Sequence, residues 1–131
     1  SRIMKRSSSP KFQALNTALI SAQNPLSFSL AVQDQTFWGR MIASAVGAHL
    51  INHADEGHYR VYYWREGNQE VDFILQQGSR LLAIEVKSNY THNISGIKSF
   101  SNQYPNARLI LIGQQGIPWQ QFLTIMPEDL F

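Results

Sequence analysis

The sequence predicts a mixed α/β domain in which helices flank a sheet, in the order helix, three-strand meander, helix, strand. Apolar side chains recur at spacings of three and four over residues 35–52, which is the period of a buried helix face. Residues 59–87 contain three runs rich in β-branched and aromatic residues, separated by short connections that include glycine. Such connections are typical of antiparallel hairpins. A second helical segment and an apolar run follow, so helices would cover both faces of a mixed sheet.

The composition is that of one compact domain. The chain has 131 residues, of which 44% are hydrophobic and 15% charged. Its net charge of +2 permits a nucleic-acid partner, but is equally compatible with an ordinary solubilising surface. The absence of cysteine excludes disulfides, thiolate metal sites and a cysteine nucleophile, and it is compatible with a reducing cytoplasm, where we expect the protein. No apolar run approaches the roughly 20 residues that span a bilayer, so we expect no membrane association.

Residues 1–34 are expected to form a basic arm and connecting segment, and residues 35–131 the core. Residues 1–11 contain four of the eleven basic residues and no acidic one, with three serines and a proline that disfavour a helix. Residues 12–23 are compatible with a short strand followed by a helix, before a turn-rich break at 24–29. The chain begins at serine, and we expect a fragment of a longer protein with an N-terminal partner domain.

The remaining elements follow from local patterns. The first helix covers residues 35–52, and residues 53–58 form a loop. Strands are expected at 59–64, 70–76 and 81–87. A helix from about 94 to 103 ends before Pro105. Residues 108–113 are apolar without alternation, as in a strand covered on both faces. The tail from residue 116 lacks a clear period, and its acidic pair is suited to capping a final turn.

Three charged residues in the predicted strands suggest a catalytic site. Asp72 and Glu85 each lie between apolar neighbours. A charged residue in a buried strand is costly unless it is paired or binds a ligand such as a metal ion. Side chains two residues apart share a strand face, so Glu85 and Lys87 point the same way. If the strands are neighbours, Asp72 lies across from Glu85, and the two carboxylates can share one Mg²⁺ or Mn²⁺ ion.

That arrangement predicts phosphodiester hydrolysis. A metal held by Asp72 and Glu85 would polarise the phosphate and activate a water, and Lys87 would orient that water or stabilise the developing charge. The alternative is structural: Glu-x-Lys is common on exposed sheet faces, where the pair is a surface salt bridge worth about 0–1 kcal/mol. Asp72, twelve residues before Glu85 on the preceding strand, favours the metal site.

Asp72 followed by Glu85-x-Lys87 on the next strand resembles the PD-(D/E)XK, or restriction-endonuclease-like, nuclease superfamily. That superfamily also has a helix before a meander and a helix-strand unit after it. From about Ser7 to Phe131 the chain is similar to the C-terminal domain of a large family of prokaryotic AAA-type predicted ATPases. The similarity lies in four segments: SSSPKFQALNTALISA, FWGRMIASAVGAHLIN, YYWREGNQEVDFIL and LLAIEVK.

The resemblance implies DNA as a partner and an ATPase domain in the same parent chain. This sequence has no phosphate-binding-loop match. The family pattern also places a glutamate on the first helix, where this chain has Ala43, so one metal ligand is missing and cleavage is in doubt. Glu70, two residues before Asp72, is a possible substitute carboxylate, although we favour an exposed residue at the strand start.

Several other residues are candidate ligands of DNA or metal. Trp38, Tyr63 and Trp64 are candidates for base stacking, but such aromatic residues more often form core or interface. The four histidines show no reliable metal-ligand spacing, although His49 and His53 are one helical turn apart. Arg2, Lys5, Arg6 and Lys11 are compatible with a phosphate-tracking arm or with solvated linker.

Two functions therefore compete. The first is a nuclease-like domain that binds DNA and retains a degenerate Mg²⁺- or Mn²⁺-dependent site formed by Asp72, Glu85 and Lys87. The second is a non-catalytic regulatory or oligomerisation module of the ATPase. Ala43 favours the second function, and the three retained residues favour the first.

Overall fold

The computed structural model describes residues 3–5, 35–87 and 95–131. The predictions for residues 6–34, and the start of the second helix at Ile94, lie outside the described residues. The elements in chain order are β1 (Ile3–Lys5), α1 (Gln35–Asn52), α2 (Ala54–Gly57), β2 (Arg60–Glu66), β3 (Gln69–Gln77), β4 (Arg80–Lys87), α3 (Ser95–Gln103), β5 (Arg108–Gly113), α4 (Trp119–Phe122) and a 3₁₀ helix (Pro127–Leu130).

The strands form one mixed sheet in the order β1-β2-β3-β4-β5. Strands β1 to β4 are antiparallel, and β5 is parallel to β4. The hairpin turns use Gly67 and Gly78, each with φ of 60°, a conformation that glycine adopts without steric cost. The predicted mixed sheet with flanking helices, and the antiparallel meander within it, are confirmed.

The sheet has a hydrophobic core on each face. On one face, α1 contributes Ile42, Val46 and Leu50 to a cluster with buried residues of β2 to β5. On the other, Ile97 and Phe100 of α3 pack with a smaller cluster of strand residues, namely Trp64, Val71, Ile74 and Ala83. None of the described helices is long and apolar enough to cross a membrane.

Strand β3 contains one residue more than its partner at the level of Tyr63. Tyr62 pairs with Ile74 and Trp64 pairs with Val71, so two residues of β3, Asp72 and Phe73, lie opposite Tyr63. A bulge of this kind breaks the alternation of side chains. Accordingly, Val71 and Ile74 pack in the same cluster although they are three residues apart. Asp72 therefore lies at the irregularity in the strand.

The structure corrects the predicted burial of the last strand. Among the described strands, β5 is at one edge of the sheet. Only Ile112 of β5 is buried, and Leu109 is 42% exposed. Leu109 pairs with Ala83 and shares the face on which α3 packs, but α3 lies against β3. The apolar run therefore belongs to an edge strand, and it is not covered on both faces.

Three shorter elements also differ from the predictions. Residues 3–5, expected to be part of an arm, form β1 and pair with β2. The predicted loop after α1 contains helix α2. The tail without a clear period forms α4 and the 3₁₀ helix, and the acidic pair Glu128 and Asp129 lies in the first turn of the latter, where the N-cap residue is Met126 and makes no side-chain capping hydrogen bond.

Candidate functional site

A polar cleft lies where β3 and β4 separate from one another, beside the N-terminus of α3. It has a volume of about 270 Å³. We call it the carboxylate cleft. Its lining residues are Asn68, Gln69, Glu70, Asp72, Glu85, Val86, Lys87, Ser95 and Gly96. The structure thus brings the three predicted catalytic residues and Glu70 into one cleft.

The pairing of β3 with β4 places the two central carboxylates next to each other. The last paired position at this end of the ladder is Phe73 with Ile84, and Asp72 and Glu85 are the next residue on each strand. Ile84 is fully buried in the larger core, so Glu85 belongs to the opposite face, as predicted. Glu85 is only 7% exposed, and Asp72 is half-buried.

Burial and like charge raise the pKa of Glu85 to about 7. Loss of solvation is the largest cause, and the negative charge of Asp72 is the second. The positive charge of Lys87 opposes both, and Glu70 raises the pKa slightly further. A cation between the two carboxylates would relieve the repulsion that disfavours ionised Glu85.

Lys87 provides the positive charge at the cleft. Its Nζ lies 3.6 Å from Oε1 of Glu85, and its side chain is 27% exposed. It follows Glu85 by two residues at the end of β4. The ammonium group is thus close to the carboxylates and also accessible to an anionic ligand.

The N-terminus of α3 is held close to β3 by a glycine. A Cβ atom on Gly96 would lie 2.1 Å from the backbone oxygen of Glu70, a distance that real Cβ atoms do not show. Only glycine permits the helix to approach the strand this closely. Gly96 therefore fixes the width of the carboxylate cleft on this side.

The two positions considered for a third carboxylate differ in location. Glu70 is exposed, pairs with Arg65 across β2 and β3, and also lines the cleft. Ala43 is half-buried on α1, the helix that packs on the opposite face of the sheet. Within the described part of the chain, no group of three or more acidic or histidine residues is arranged to hold a metal ion.

The carboxylate pair fits a weakly held hard cation. Mg²⁺ prefers oxygen ligands, retains several waters, and is commonly bound through one or two carboxylates together with substrate phosphates. Asp72 and Glu85 provide such a pair in a polar cleft, and their mutual repulsion favours a cation between them. The two carboxylates supply only part of the coordination of such an ion, and water and substrate would supply the rest.

A second cleft of about 370 Å³ lies at the C-terminal ends of β4 and β5, and was not predicted from the sequence. We call it the tryptophan cleft. Its lining residues are Trp38, Ile42, Lys87, Gly113, Gln114, Pro118, Trp119 and Gln120. The rings of Trp38 and Trp119 meet edge to face, with centroids 6.0 Å apart and an interplanar angle of 81°. Lys87 lines both clefts.

Comparison with protein families places the chain in a family. A family model described as a domain of unknown function, DUF4143, matches residues 38–130. The chain belongs to this family. No curated protein and no solved structure gives a significant match. The matched region of this DUF4143 domain contains Ala43 and every residue that lines the two clefts.

Two other residues considered as ligands from the sequence, Trp64 and His49, make contacts within the DUF4143 domain. Trp64 is fully buried and meets Phe100 edge to face, so it belongs to the core and not to a stacking surface. Nε2 of His49 lies 2.8 Å from the backbone oxygen of Ile125, and its ring contacts those of His53 and Phe122. His92 lies outside the described residues. These contacts explain Trp64 and His49 without a ligand.

Proposed function

We propose that this DUF4143 domain is a restriction-endonuclease-like domain that binds DNA and holds a divalent cation between Asp72 and Glu85. One observation carries the proposal: two carboxylates from neighbouring strands and the lysine two residues later line a single polar cleft. This combination is what metal-dependent phosphodiester cleavage requires. The site is incomplete, because α1 carries Ala43 where the resembling nucleases have a carboxylate.

Each residue has a definite role in the proposed chemistry. A bound Mg²⁺ or Mn²⁺ ion would polarise the scissile phosphate and activate a water for attack. Asp72 and Glu85 would hold this ion and balance its charge. Lys87, with Nζ 3.6 Å from Glu85, donates hydrogen bonds to the phosphate oxygens and stabilises their growing negative charge.

The missing carboxylate limits the expected activity. With two protein ligands, the cation is held weakly, and the substrate phosphate must supply part of its coordination. Glu70 lines the same cleft and is the nearest substitute, but it is exposed and reaches the site from the start of β3. We therefore propose a degenerate nuclease site, in which DNA binding is retained and cleavage is slow.

The parent protein is proposed to join this domain to an AAA-type ATPase domain in the cytoplasm. The similarity to C-terminal domains of prokaryotic AAA-type predicted ATPases supports the arrangement. ATP hydrolysis would take place in the partner domain, because the present chain has no phosphate-binding-loop sequence.

Mn²⁺ titration tests the metal site directly. Because a ligand that binds only the folded state stabilises it by mass action, Mn²⁺ should raise the melting temperature of the wild type. Asp72→Asn should abolish this rise, whereas Asp129→Asn, an exposed position on the 3₁₀ helix, should retain it. A wild-type melting temperature that does not respond to Mn²⁺ would refute the site.

Cleavage is tested separately from binding. Single-stranded, double-stranded and branched DNA are incubated with Mg²⁺ or Mn²⁺, with Lys87→Ala as the control. Slow cleavage that requires both the metal and Lys87 is expected. Cleavage that persists in Lys87→Ala would assign the activity to a contaminant or to another site.

A second candidate function is a regulatory or oligomerisation module of the ATPase. The position of β5, an edge strand among the described strands, favours it, because an edge strand can pair with another chain, and Leu109 is exposed on that strand. Sedimentation of wild type and Leu109→Lys tests this function. A dimer that is lost in the variant would support it, and a monomeric wild type would count against oligomerisation.

A further inference from the structure

The tryptophan cleft has the chemistry of a site for a flat aromatic ligand. Its volume of about 370 Å³ lies in the range of about 300–1,000 Å³ typical of small-molecule sites. Trp38 and Trp119 contribute aromatic surface, and Ile42 contributes aliphatic surface. Gln114 and Gln120 are exposed at the same cleft and present amide donors and acceptors. Together these groups suit the face and the polar edge of a nucleobase.

The cleft is preformed by close backbone packing. Gly113 has φ of 145°, and a Cβ atom there would lie 1.9 Å from the backbone oxygen of Lys87. The ends of β4 and β5 therefore meet as closely as glycine allows. Trp119 begins helix α4, where its backbone oxygen accepts a hydrogen bond from the amide of Leu123. These contacts fix the floor and one wall of the cleft.

Lys87 joins this cleft to the carboxylate cleft. The same residue lines both, with its Nζ 3.6 Å from Oε1 of Glu85 and its backbone oxygen against Gly113. In a nucleic-acid strand each base is attached to the sugar adjoining a backbone phosphate. A strand whose phosphate lies at Lys87 can thus direct a neighbouring base into the tryptophan cleft.

We propose that the tryptophan cleft binds an unpaired base of a DNA strand, next to the phosphate held at the carboxylate cleft. The inference rests on the proposed function and specifies its substrate class. A base within a duplex is stacked and paired, and its faces are not accessible to protein side chains. The domain would therefore favour single-stranded DNA, or the unpaired part of a branched molecule, over duplex DNA.

Aromatic stacking predicts how much the affinity for DNA should change when a tryptophan is replaced. Stacking of a base on an aromatic side chain is lost on truncation of that side chain, and the loss corresponds to about tenfold or more in affinity. A strand without bases has the same phosphate charge, but it cannot stack. Comparing the two ligands separates base binding from electrostatic attraction to Lys87.

The experiment measures binding without metal. Fluorescently labelled oligothymidylate and an abasic strand of equal length are titrated with the domain in EDTA, and anisotropy is recorded. Wild type should bind oligothymidylate about tenfold or more tightly than the abasic strand. Trp119→Leu should lose this preference, and Trp119→Phe should keep most of it. Tyr104→Leu, on the opposite face of the sheet, is the matched control and should resemble wild type.

Two outcomes would overturn the inference: equal binding of the two strands by wild type, or an undiminished preference in folded Trp119→Leu. The proposed metal site is judged independently. Trp119→Leu should still be stabilised by Mn²⁺, whereas Asp72→Asn should lose that stabilisation and keep the preference for bases. A normal response to Mn²⁺ without base preference would therefore refute the tryptophan-cleft proposal alone.

Discussion

Asp72 and Glu85 lie immediately beyond the last paired position between β3 and β4. Burial of Glu85, and after it the negative charge of Asp72, raises the pKa of Glu85 to about 7. The chain therefore keeps a nearly buried carboxyl group beside a second carboxylate. Such an arrangement is costly when both groups are ionised, and it is common at sites that bind cations or transfer protons.

Replacing Glu85 should change how the stability of the metal-free domain depends on pH. The folded-state pKa of about 7 exceeds the unfolded value near 4.5, so the folded state retains a proton that the unfolded state has lost. The stability contributed by protonated Glu85 is complete below about pH 4.5 and lost as the pH rises through 7. The loss is up to about 3 kcal/mol.

Glu85→Gln removes this titration and should reduce the decline between pH 5 and 8. Urea unfolding in EDTA at several pH values measures it. Glu56→Gln, an exposed site on α2, should follow the wild-type profile. A Glu85→Gln profile that is parallel to wild type would show that Glu85 does not carry the titration.

Removing the neighbouring charges should shift the pKa of Glu85 in opposite directions. Lys87 lowers this pKa, so Lys87→Met should raise it above about 7. Asp72 raises it, so Asp72→Asn should lower it below that value. Titration of the Glu85 side-chain carboxyl carbon by NMR measures both. Shifts in the same direction in the two variants would contradict the geometry.

Gly96→Ala should separate α3 from β3. The new methyl group would overlap the backbone oxygen of Glu70, which cannot move without disturbing the strand. We expect a loss of about 1–3 kcal/mol in the free energy of unfolding, despite the better helix propensity of alanine. Chemical denaturation measures the loss. Ser101→Ala on the same helix is the control and should change stability little; equal stability of the two variants would argue against the close contact.

Ala43→Glu tests whether α1 contributes to the proposed metal site. In the resembling nucleases this helix position carries a carboxylate, but here α1 packs on the face of the sheet opposite to Glu85. We therefore expect the stabilisation by Mn²⁺ to be the same in Ala43→Glu as in Ala45→Glu, also half-buried on α1. A larger response to Mn²⁺ in Ala43→Glu, with increased cleavage, would show that position 43 reaches the cation.

Much of the architecture was predictable from local patterns. The apolar spacing of α1 gave its bounds, and the Gly-containing connections gave the hairpins. The charges at Asp72 and Glu85 were conspicuous because their neighbours are apolar, and the structure places them in one cleft. Their role as metal ligands remains a prediction.

The tryptophan cleft was not predictable in the same way. It combines Trp38 of α1 with Gly113 and Trp119, residues that are far apart in the sequence and close only after folding. The exposure of Leu109 depends on where α3 packs, which the composition of β5 does not indicate. The extra residue in β3 likewise becomes visible only through its pairing with Trp64 and Tyr62.

That extra residue makes the position of Asp72 depend on strand length as well as on residue type. Because Val71 and Ile74 pack on one face, deleting Phe73 would restore regular alternation without turning either of them, but Asp72 between them would then face the opposite side of the sheet. Glu85 lies on the face of Val71 and Ile74, so a length change in β3 should separate the two carboxylates, which most single substitutions there would not do. Alignments of DUF4143 chains that place a gap inside this strand should be treated as a sign that the carboxylate pair has been lost.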